Sequence, residues 1–226
     1  MADIDGIKAC VFDAYGTLFD FNAAAAHCRD DLGDNANKLS EIWRGKQLQY
    51  TWLRSLMGDY VPFWQVTGDA LDYAFAALGL DDPALRAKLM QLYMNLDAYP
   101  DAKPMLERLK AGGMSTAILS NGSPEMLNAA VTNAGLADLL DDSLTVDTLG
   151  IYKPHPSTYQ LAVDRFGVAP REICFQSSNS WDAVGAAEFG FRVVWINRFG
   201  QAREVLPAQP DREVGSLADL PPLLGL

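Results

Sequence analysis

The sequence contains few of the residues that cross-link small proteins or bind metals: its 226 residues include three cysteines and two histidines. Cys10, Cys28 and Cys174 are widely spaced and form no Cys-x-x-Cys motif. His27 and His155 are also far apart and have no metal-ligand spacing with a cysteine. These absences exclude a disulfide scaffold and a zinc module, and the sparse, odd set of cysteines indicates a reducing compartment.

Basic residues are scarce too, since 18 lysines and arginines stand against 29 aspartates and glutamates, a formal net charge of −11. No run of lysine and arginine interrupts this acidity, so nucleic acids and anionic membranes are not expected partners. No apolar stretch reaches the length of a membrane span, and residues 1–5 lack the basic region of a secretory signal. We therefore expect a cytoplasmic protein.

The remaining composition is that of an ordinary globular protein, 49% hydrophobic and 21% charged, with enough residues for a core and an insertion. An apolar run predicts a buried strand over 8–12, and helical spacing follows from about 21 to 96. Beyond that block the pattern alternates. Helices are predicted over 102–113, 124–134, 156–166 and 181–189, and strands over 116–119, 173–175 and 192–196.

This alternation predicts an α/β fold with a doubly wound parallel sheet. The helical block after the first strand is then an insertion, placed where it can cover the carboxyl edge of the sheet. We expect a core domain of residues 1–20 and 98–226 and a helical cap domain of residues 21–97.

Four polar segments follow the predicted strands, at 13–18, 120–122, 152–154 and 177–182. Each segment taken alone is compatible with a turn, a helix cap or a loop. Ligands of open α/β sheets bind beyond the carboxyl ends of the strands. Four such segments at one edge therefore favour an active site.

In order, these segments read Asp-x-Tyr-Gly-Thr-Leu, Ser-Asn-Gly, Lys-Pro and Ser-Ser-Asn-x-x-Asp, and they resemble the motifs of the haloacid dehalogenase (HAD) superfamily. The resemblance covers nearly the whole chain and implies a Rossmann-like core with a helical cap after the first strand. Most members are phosphatases, with Asp-x-Asp in the first motif and Gly-Asp before the final aspartate. Here Tyr15 and Ser177-Ser178 stand at those positions. The magnesium chemistry therefore lacks two carboxylates, one of which is the proton donor.

These departures match the (S)-2-haloacid dehalogenases, which this chain resembles in Asp-Ala-Tyr-Gly-Thr and Ser-Ser-Asn-x-Trp-Asp. Residues 43–54 resemble the active-site cap helix of that family, with Arg44, Leu48 and Trp52 on one helix face. The resemblance implies hydrolysis of short (S)-2-haloalkanoic acids to (R)-2-hydroxy acids with inversion, through an aspartyl ester on Asp13. It implies no metal and no cofactor. The expected partners are a 2-haloacid, water, the released halide and a second copy of the chain.

The resemblance also implies a catalytic set, which is Asp13, Thr17, Arg44, Lys153, Tyr159, Ser177, Asn179 and Asp182. Asp13 attacks C2 of the substrate, and the Lys153 ammonium favours its ionised form. Water then attacks the ester carbonyl, and Asp182 is the expected base. Tyr159 corresponds to a tyrosine near the nucleophile and the lysine, with ordinary core packing as the alternative.

The implied substrate-binding set is Ala14, Tyr15, Arg44, Leu48, Phe63, Ser120, Asn121 and Trp181. Ser120, Asn121 and backbone N–H groups at positions 14 and 15 meet the substrate carboxylate. Arg44 and Asn121 receive the departing halide, where negative charge develops. The aromatic and aliphatic members form an apolar wall, although core packing is the alternative for Leu48. For Trp52, on the same helix face, core packing is the favoured interpretation.

Two other functions remain open: a phosphomonoester phosphatase with degenerate metal ligands, and a non-catalytic binding module that retains the scaffold. The first predicts chelator-sensitive phosphate release, and the second predicts that Asp13→Asn leaves function intact. Gln176 stands where an apolar residue is expected inside a strand, and the sequence offers no reason for it. The motifs do not indicate the preferred halogen or the substrate chain length.

Overall fold

The computed structural model describes residues 4–226. The expectation drawn from residues 1–5 rests partly on residues 1–3, which lie outside the described residues. Within residues 4–226, no helix combines the length and the apolar character that crossing a lipid bilayer requires.

The fold is built on one sheet of six parallel strands in the order β3-β2-β1-β4-β5-β6. The strands are β1 (Ala9–Phe12), β2 (Ser115–Ser120), β3 (Asp142–Thr145), β4 (Ile173–Ser177), β5 (Arg192–Ile196) and β6 (Arg212–Val214). The strand order reverses at β1, whose neighbours are β2 and β4, and open α/β sheets bind ligands at such a switch point. The predicted doubly wound α/β fold is confirmed.

Helices fill the connections between the strands. Those after β1 are α1 (Ala23–His27), α2 (Arg29–Leu32), α3 (Ala36–Met57), α4 (Phe63–Leu78) and α5 (Pro83–Met94). Those of the alternating part are α6 (Ala102–Ala111), α7 (Pro124–Asn133), α8 (Pro156–Phe166), α9 (Ser180–Phe189) and α10 (Leu220–Leu223). We call α1 to α5 the helical insertion. It lies inside the predicted cap range 21–97, and the division into two domains stays a prediction.

The long helix α3 carries an arginine to the active-site edge and packs against α4. It ends at Gly58, which takes a left-handed conformation with φ of 68°. Its buried face has a spacing of four residues and includes Leu39 and Trp43, then the polar Gln47 and Thr51. An apolar stripe that turns polar partway along a buried face indicates that those polar side chains have partners inside the protein.

Two hydrophobic clusters cover the faces of the sheet. Alternate side chains of β1 enter each of them, Cys10 and Phe12 on one face and Ala9 and Val11 on the other. Because both faces of β1 are covered, this strand is apolar throughout and was recognisable in the sequence. Within residues 4–226 the three cysteines are buried and free of disulfides.

Two strands were not predicted, and both are edge strands of the sheet. β3 reads Asp-Ser-Leu-Thr and β6 reads Arg-Glu-Val, so neither has the apolar run of a doubly covered strand. The prediction that residues 152–154 directly follow a strand was wrong. A 3₁₀ turn over Val146–Thr148 separates β3 from this segment, and the loop after that turn brings Lys153 to the sheet edge.

Gln176 lies fully buried in β4, and its Nε2 is 2.9 Å from Sγ of Cys174 on the same strand face. Within residues 4–226 its Oε1 has no hydrogen-bond partner. The sulfur is a weak acceptor, so this contact only partly compensates the burial of the amide.

Candidate active site

The Asp13 carboxylate follows β1 directly and is held by three donors. Its Oδ2 accepts from Nδ2 of Asn179 at 2.8 Å and from Oγ1 of Thr17 at 3.1 Å. Its Oδ1 lies 3.2 Å from Nζ of Lys153. With 7% of its surface exposed, the carboxylate is nearly dry and tightly oriented. This arrangement suits a carboxylate nucleophile, which has to be oriented and shielded from water.

Lys153 lies between two carboxylates, because its Nζ is also 3.0 Å from Oδ2 of Asp182. Burial alone would lower the pKa of the Lys153 ammonium, but the charges of Asp13 and Asp182 raise it above its ordinary value. The lysine therefore stays charged and links Asp13 to the second carboxylate.

Asp182 lies in the first turn of α9 and is fully buried. Burial raises the pKa of its carboxyl, Lys153 opposes this shift, Asp13 reinforces it, and the pKa remains above its ordinary value. A carboxylate with a raised pKa is a better proton acceptor near neutral pH. Its position and its environment therefore suit a general base.

Tyr159 contacts Asp182 and has no hydrogen bond to Asp13 or Lys153 within residues 4–226. Its hydroxyl donates to Oδ1 of Asp182 at 2.8 Å. The ring packs edge-on against Phe175 and Phe191 in the core. Tyr159 therefore combines core packing with a place in the site, because its ring lies in the core and its hydroxyl contacts the candidate base.

Thr17 and the serines of the last motif form a hydrogen-bonded support beside Asp13. Oγ1 of Thr17 accepts from the backbone N–H of Ser178 at 2.8 Å and lies 3.3 Å from Oγ of the same residue. Ser177, by contrast, accepts from the backbone N–H of Asn179 at 3.1 Å and orders the turn into α9. The structure thus places Ser178, absent from the predicted set, nearer to the Asp13 cluster than sequence reasoning indicated.

Asn179 joins the helical insertion to Asp13. Its Oδ1 accepts from Nη2 of Arg44 at 3.0 Å, while its Nδ2 donates to Asp13 and to the backbone oxygen of Tyr15 at 3.1 Å. An arginine offers only donors, so this contact orients the amide. The Arg44 guanidinium also lies over the ring of Phe21, with Cζ 4.7 Å from its centroid. Phe21 was not predicted, since a lone aromatic after the first motif carries no signal.

Ser120 and Asn121 lie at the end of β2 with donors still available. Oγ of Ser120 accepts from the backbone N–H of Gly122 at 3.1 Å, which leaves its own hydrogen to donate. Oδ1 of Asn121 accepts from the backbone N–H of Lys153 at 3.0 Å, which leaves its NH₂ group to donate. Two oriented donors beside a lysine suit the recognition of an anion.

Aromatic rings form one side of the site. The Tyr15 ring lies 5.9 Å from Phe63 and stacks at 5.7 Å on Tyr93, centroid to centroid. Tyr93, on α5, was not predicted, because its helical spacing reads as ordinary core. Burial raises the pKa of the Tyr15 hydroxyl well above its ordinary value, so this side chain does not replace a carboxylate in proton transfer. Ala14, next to Tyr15, is fully buried in the same turn.

Leu48 and Arg44 line a cavity of about 430 Å³, together with Phe21, which precedes α1, and residues of α1 to α3 that include Ser40. Arg44 connects this cavity to the Asp13 cluster through Asn179. Trp181 packs edge-on against Trp52 of α3, with ring centroids 5.4 Å apart. Trp52 therefore contacts Trp181, a residue of the predicted apolar wall.

The donor set provides no evident metal site. Within residues 4–226, no three His, Cys, Asp or Glu side chains come together in a way that could hold a metal ion. The Lys153 ammonium occupies the space between Asp13 and Asp182, the two carboxylates of the site. The prediction that the reaction needs no metal stays a prediction, and this arrangement is consistent with it.

Comparisons with known proteins agree with this geometry. A family model described as a haloacid dehalogenase-like hydrolase matches residues 7–190. "(S)-2-haloacid dehalogenase 1" of Pseudomonas sp. (strain CBS-3) is 49% identical over 222 residues, 98% of each chain. A crystal structure described as that of a dehalogenase is 49% identical, with a TM-score of 0.96 over 99% of both chains.

A further structure is that of L-2-haloacid dehalogenase from Xanthobacter autotrophicus with chloropropionic acid covalently bound. It is 40% identical, covers 95% of this chain and 97% of its own, and superposes with a TM-score of 0.89. Sequence and structure thus lead to the same group of proteins along almost the full length of the chain. The chain belongs to the haloacid dehalogenase-like hydrolases and, within them, to the (S)-2-haloacid dehalogenase family.

Proposed function

We propose that this chain hydrolyses short (S)-2-haloalkanoic acids to (R)-2-hydroxy acids with inversion at C2. One observation carries the proposal: two buried carboxylates, Asp13 and Asp182, share the Lys153 ammonium at 3.2 and 3.0 Å. One carboxylate is held by donors in a nearly dry site, and the other has a raised pKa. Such a pair supplies a nucleophile and a base in one site.

In the first step, a carboxylate oxygen of Asp13 attacks C2 from the side opposite the halogen. The new C–O bond forms as the carbon–halogen bond breaks, and the halide leaves with the bonding electrons. The product is an aspartyl ester with inverted C2. Arg44 and the NH₂ group of Asn121 are the donors available to the departing halide.

In the second step, water attacks the ester carbonyl of Asp13, so the inversion at C2 is kept. Asp182 takes a proton from this water and returns it to the leaving oxygen as the tetrahedral intermediate collapses, which releases the 2-hydroxy acid. The regenerated Asp13 carboxyl then loses the second water proton to solvent. One water is consumed, and one proton and one halide are released. Tyr159 and Lys153 hold the two oxygens of Asp182 in place, at 2.8 and 3.0 Å.

The substrate carboxylate is bound by Ser120, Asn121 and the backbone at positions 14–15. Both side chains have donors left after their internal hydrogen bonds are counted. Tyr15 and Phe63, with Leu48 and Trp181, cover the carbon–halogen bond with apolar surface. This assignment places the charged end of the substrate at β2 and the halogen towards α3.

The donor set argues against a phosphatase. Magnesium requires several hard oxygen ligands, and phosphoryl transfer in this superfamily needs an acid two residues after the nucleophile. Tyr15 stands at that position with its ring stacked on Tyr93. A binding module does not need a lysine buried between two carboxylates, because desolvating three charged groups costs stability. The proposed reaction needs no cofactor.

We further propose that the protein is cytoplasmic and forms a homodimer. Three free, buried cysteines support a reducing compartment. Leu56 and Met57, at the end of α3, are 84% and 67% exposed, and Leu53 nearby is also exposed. An apolar patch of this kind supports association of two copies. Light scattering is expected to give twice the mass of one chain, and Leu56→Glu is expected to lower it.

Halide release tests the activity. The protein is incubated with (S)-2-chloropropionate, and chloride and 2-hydroxypropionate are measured with and without a chelator. We expect equal amounts of chloride and the (R)-hydroxy acid, no effect of the chelator, and little reaction of the (R)-substrate. Chelator-sensitive phosphate release from a phosphomonoester, without chloride release, would support the phosphatase instead.

Heavy-oxygen water tests the ester intermediate. With enzyme in excess over substrate, the first product receives its hydroxyl oxygen from Asp13 and is unlabelled. Over many turnovers the label enters the Asp13 side chain, which mass spectrometry of the peptide detects. Label in the first product would show that water attacks C2 directly. Asp13→Asn serves as the control and is expected to release no chloride.

A further inference from the structure

Gln47 is an amide buried in the helical insertion that the proposed mechanism does not use. It lies on α3 one turn after Arg44, and 1% of its surface is exposed. Its neighbours are Thr67 of α4, which is fully buried, and Tyr93 of α5. Burying three polar side chains between helices costs stability unless each is hydrogen-bonded.

Thr67 sets the orientation of the Gln47 amide. The Thr67 hydroxyl donates to the backbone oxygen of Phe63 at 2.7 Å, so it accepts from Nε2 of Gln47 at 2.8 Å. The Tyr93 hydroxyl lies beside both ends of the amide, 3.1 Å from Nε2 and 3.2 Å from Oε1. With its nitrogen donating to Thr67, Gln47 turns Oε1 to Arg44, whose Nη1 donates to it at 2.7 Å.

This arrangement leaves the charge of Arg44 uncompensated. Its guanidinium is held by two amide oxygens, Oε1 of Gln47 and Oδ1 of Asn179, at 2.7 and 3.0 Å. In the described part of the chain it forms no ion pair with a carboxylate. Arginines elsewhere in this acidic protein, such as Arg54 and Arg86, are paired with aspartates. Two neutral acceptors orient the guanidinium without cancelling its charge.

We propose that Gln47 is a positioning residue, anchored by Thr67 and Tyr93, that holds Arg44 in place while leaving its positive charge free for the departing halide. The inference rests on the proposed function and goes further by naming what controls halide binding. A glutamate at position 47 has the same shape, but it would form an ion pair with Arg44 and compete with the halide. The neutrality of the side chain is therefore the property that matters.

Gln47→Glu tests neutrality, and Gln47→Met tests orientation. Steady-state chloride release gives kcat and KM, and calorimetric titration with sodium bromide gives halide affinity independently of turnover. We expect Gln47→Glu to lower kcat about 100-fold and halide affinity more than 10-fold. We expect Gln47→Met, which keeps the Arg44 charge, to lower kcat about tenfold and halide affinity less than threefold. Thermal melting confirms that both variants are folded at the assay temperature.

Gln49→Glu is the matched control, because Gln49 lies on the exposed side of the same helix and its Oε1 accepts from Lys46 at 2.8 Å. It repeats the substitution and the change in charge beside another cation, and we expect kcat and halide affinity within about twofold of the parent. If Gln47→Glu does not fold, Thr67→Val removes the acceptor that orients the amide. That variant is expected to lower kcat about fivefold while leaving KM nearly unchanged.

The outcomes separate the two claims. Absence of chloride release by the parent protein contradicts the proposed function. Release by the parent with unchanged kcat and halide affinity in Gln47→Glu contradicts the role of Gln47 alone. Equal losses in Gln47→Glu and Gln47→Met would show a merely structural amide and would also overturn the inference. If Gln47→Glu does not fold and Thr67→Val is used instead, an unchanged kcat in Thr67→Val would also overturn the inference.

Discussion

Arg44 of α3 donates to Oδ1 of Asn179 at 3.0 Å, across the junction between the helical insertion and the sheet edge. Because arginine has no acceptor, this bond turns Nδ2 of Asn179 to the carboxylate of Asp13, 2.8 Å away. The Asn179 amide therefore bonds both to the cation expected to receive the halide and to the carboxylate expected to attack the substrate. The position of α3 and the orientation of the nucleophile are linked through it.

Asn179→Asp is expected to lower kcat at least 100-fold. The new carboxylate would pair with Arg44, would place a like charge beside Asp13, and would remove the amide N–H that orients the Asp13 carboxylate. Chloride release measures the effect. Asn128→Asp, at an exposed position of α7, makes the same change and is expected to be neutral. A kcat within threefold of the parent would contradict the linkage.

Tyr159→Phe is expected to move the acid limb of the kcat profile to higher pH. The Tyr159 hydroxyl bonds to the charged form of Asp182 and lowers its pKa, which burial raises. Without that bond, Asp182 is protonated at a higher pH and loses its function as a base as the pH falls. The measurement is kcat from pH 4 to 9, with Tyr73→Phe, at an exposed tyrosine, as control. An unmoved limb would show that Tyr159 serves only as core.

Lys153→Met is expected to destabilise the protein by about 3–5 kcal/mol near pH 7, because two buried carboxylates lose their shared cation. Without the opposing charge of Lys153, the pKa of the Asp182 carboxyl, which burial already holds above its ordinary value, would rise further. Stability contributed by such groups is present at low pH and is lost as the pH rises through the folded-state values. Urea unfolding at pH 5 and pH 7.5 should therefore show a smaller deficit at pH 5.

The double variant Lys153→Met with Asp182→Asn is the control for this destabilisation, since it removes one of the uncompensated charges. We expect it to recover part of the stability lost at pH 7.5. A deficit independent of pH in the single variant would attribute the loss to packing of the lysine side chain rather than to charge.

Gly185→Ala is expected to cost about 1–3 kcal/mol of stability through overpacking. A Cβ at this position on α9 would lie 2.6 Å from the Tyr159 hydroxyl and 2.6 Å from Cβ of Pro154. The clash would also displace the Tyr159 hydroxyl from Asp182, so the acid limb should move in the same direction as in Tyr159→Phe. Gly215→Ala, where a Cβ meets nothing within 4 Å, is the control. Unchanged melting of Gly185→Ala would contradict the close approach.

Much of the sheet was predictable because its central strands are covered on both faces and therefore form apolar runs, as in β1 and β5. The edge strands β3 and β6 were missed because their residues are polar and half-exposed. The Lys153 loop was predicted at the carboxyl edge of the sheet, and it lies there. The prediction that it directly follows a strand was wrong. A 3₁₀ turn intervenes, and a turn of three residues has no periodicity to detect.

Site residues were predictable where a motif places them after a strand, as for Asp13, Ser120 and Asp182. Gln47 and Tyr93 were not, because their spacing on α3 and α5 is that of ordinary buried helix positions. Ser177 and Ser178 are adjacent and have the same hydroxyl side chain, so the sequence does not indicate which of them supports Asp13. Their different partners, Thr17 for one and the backbone of Asn179 for the other, depend on which way the turn after β4 faces.

The sequence by itself determined which chemistry is gathered at one edge of the sheet, because parallel strands bring their carboxyl ends together whatever lies between them along the chain. It also determined the absence of carboxylates at two positions where magnesium chemistry needs them. Only the tertiary structure decided how those groups are oriented: Lys153 between two carboxylates, Asn179 between Arg44 and Asp13, and Gln47 behind Arg44. Hydrogen-bond direction depends on which donors and acceptors meet in three dimensions, and residues separated by more than 100 positions meet only in the folded chain.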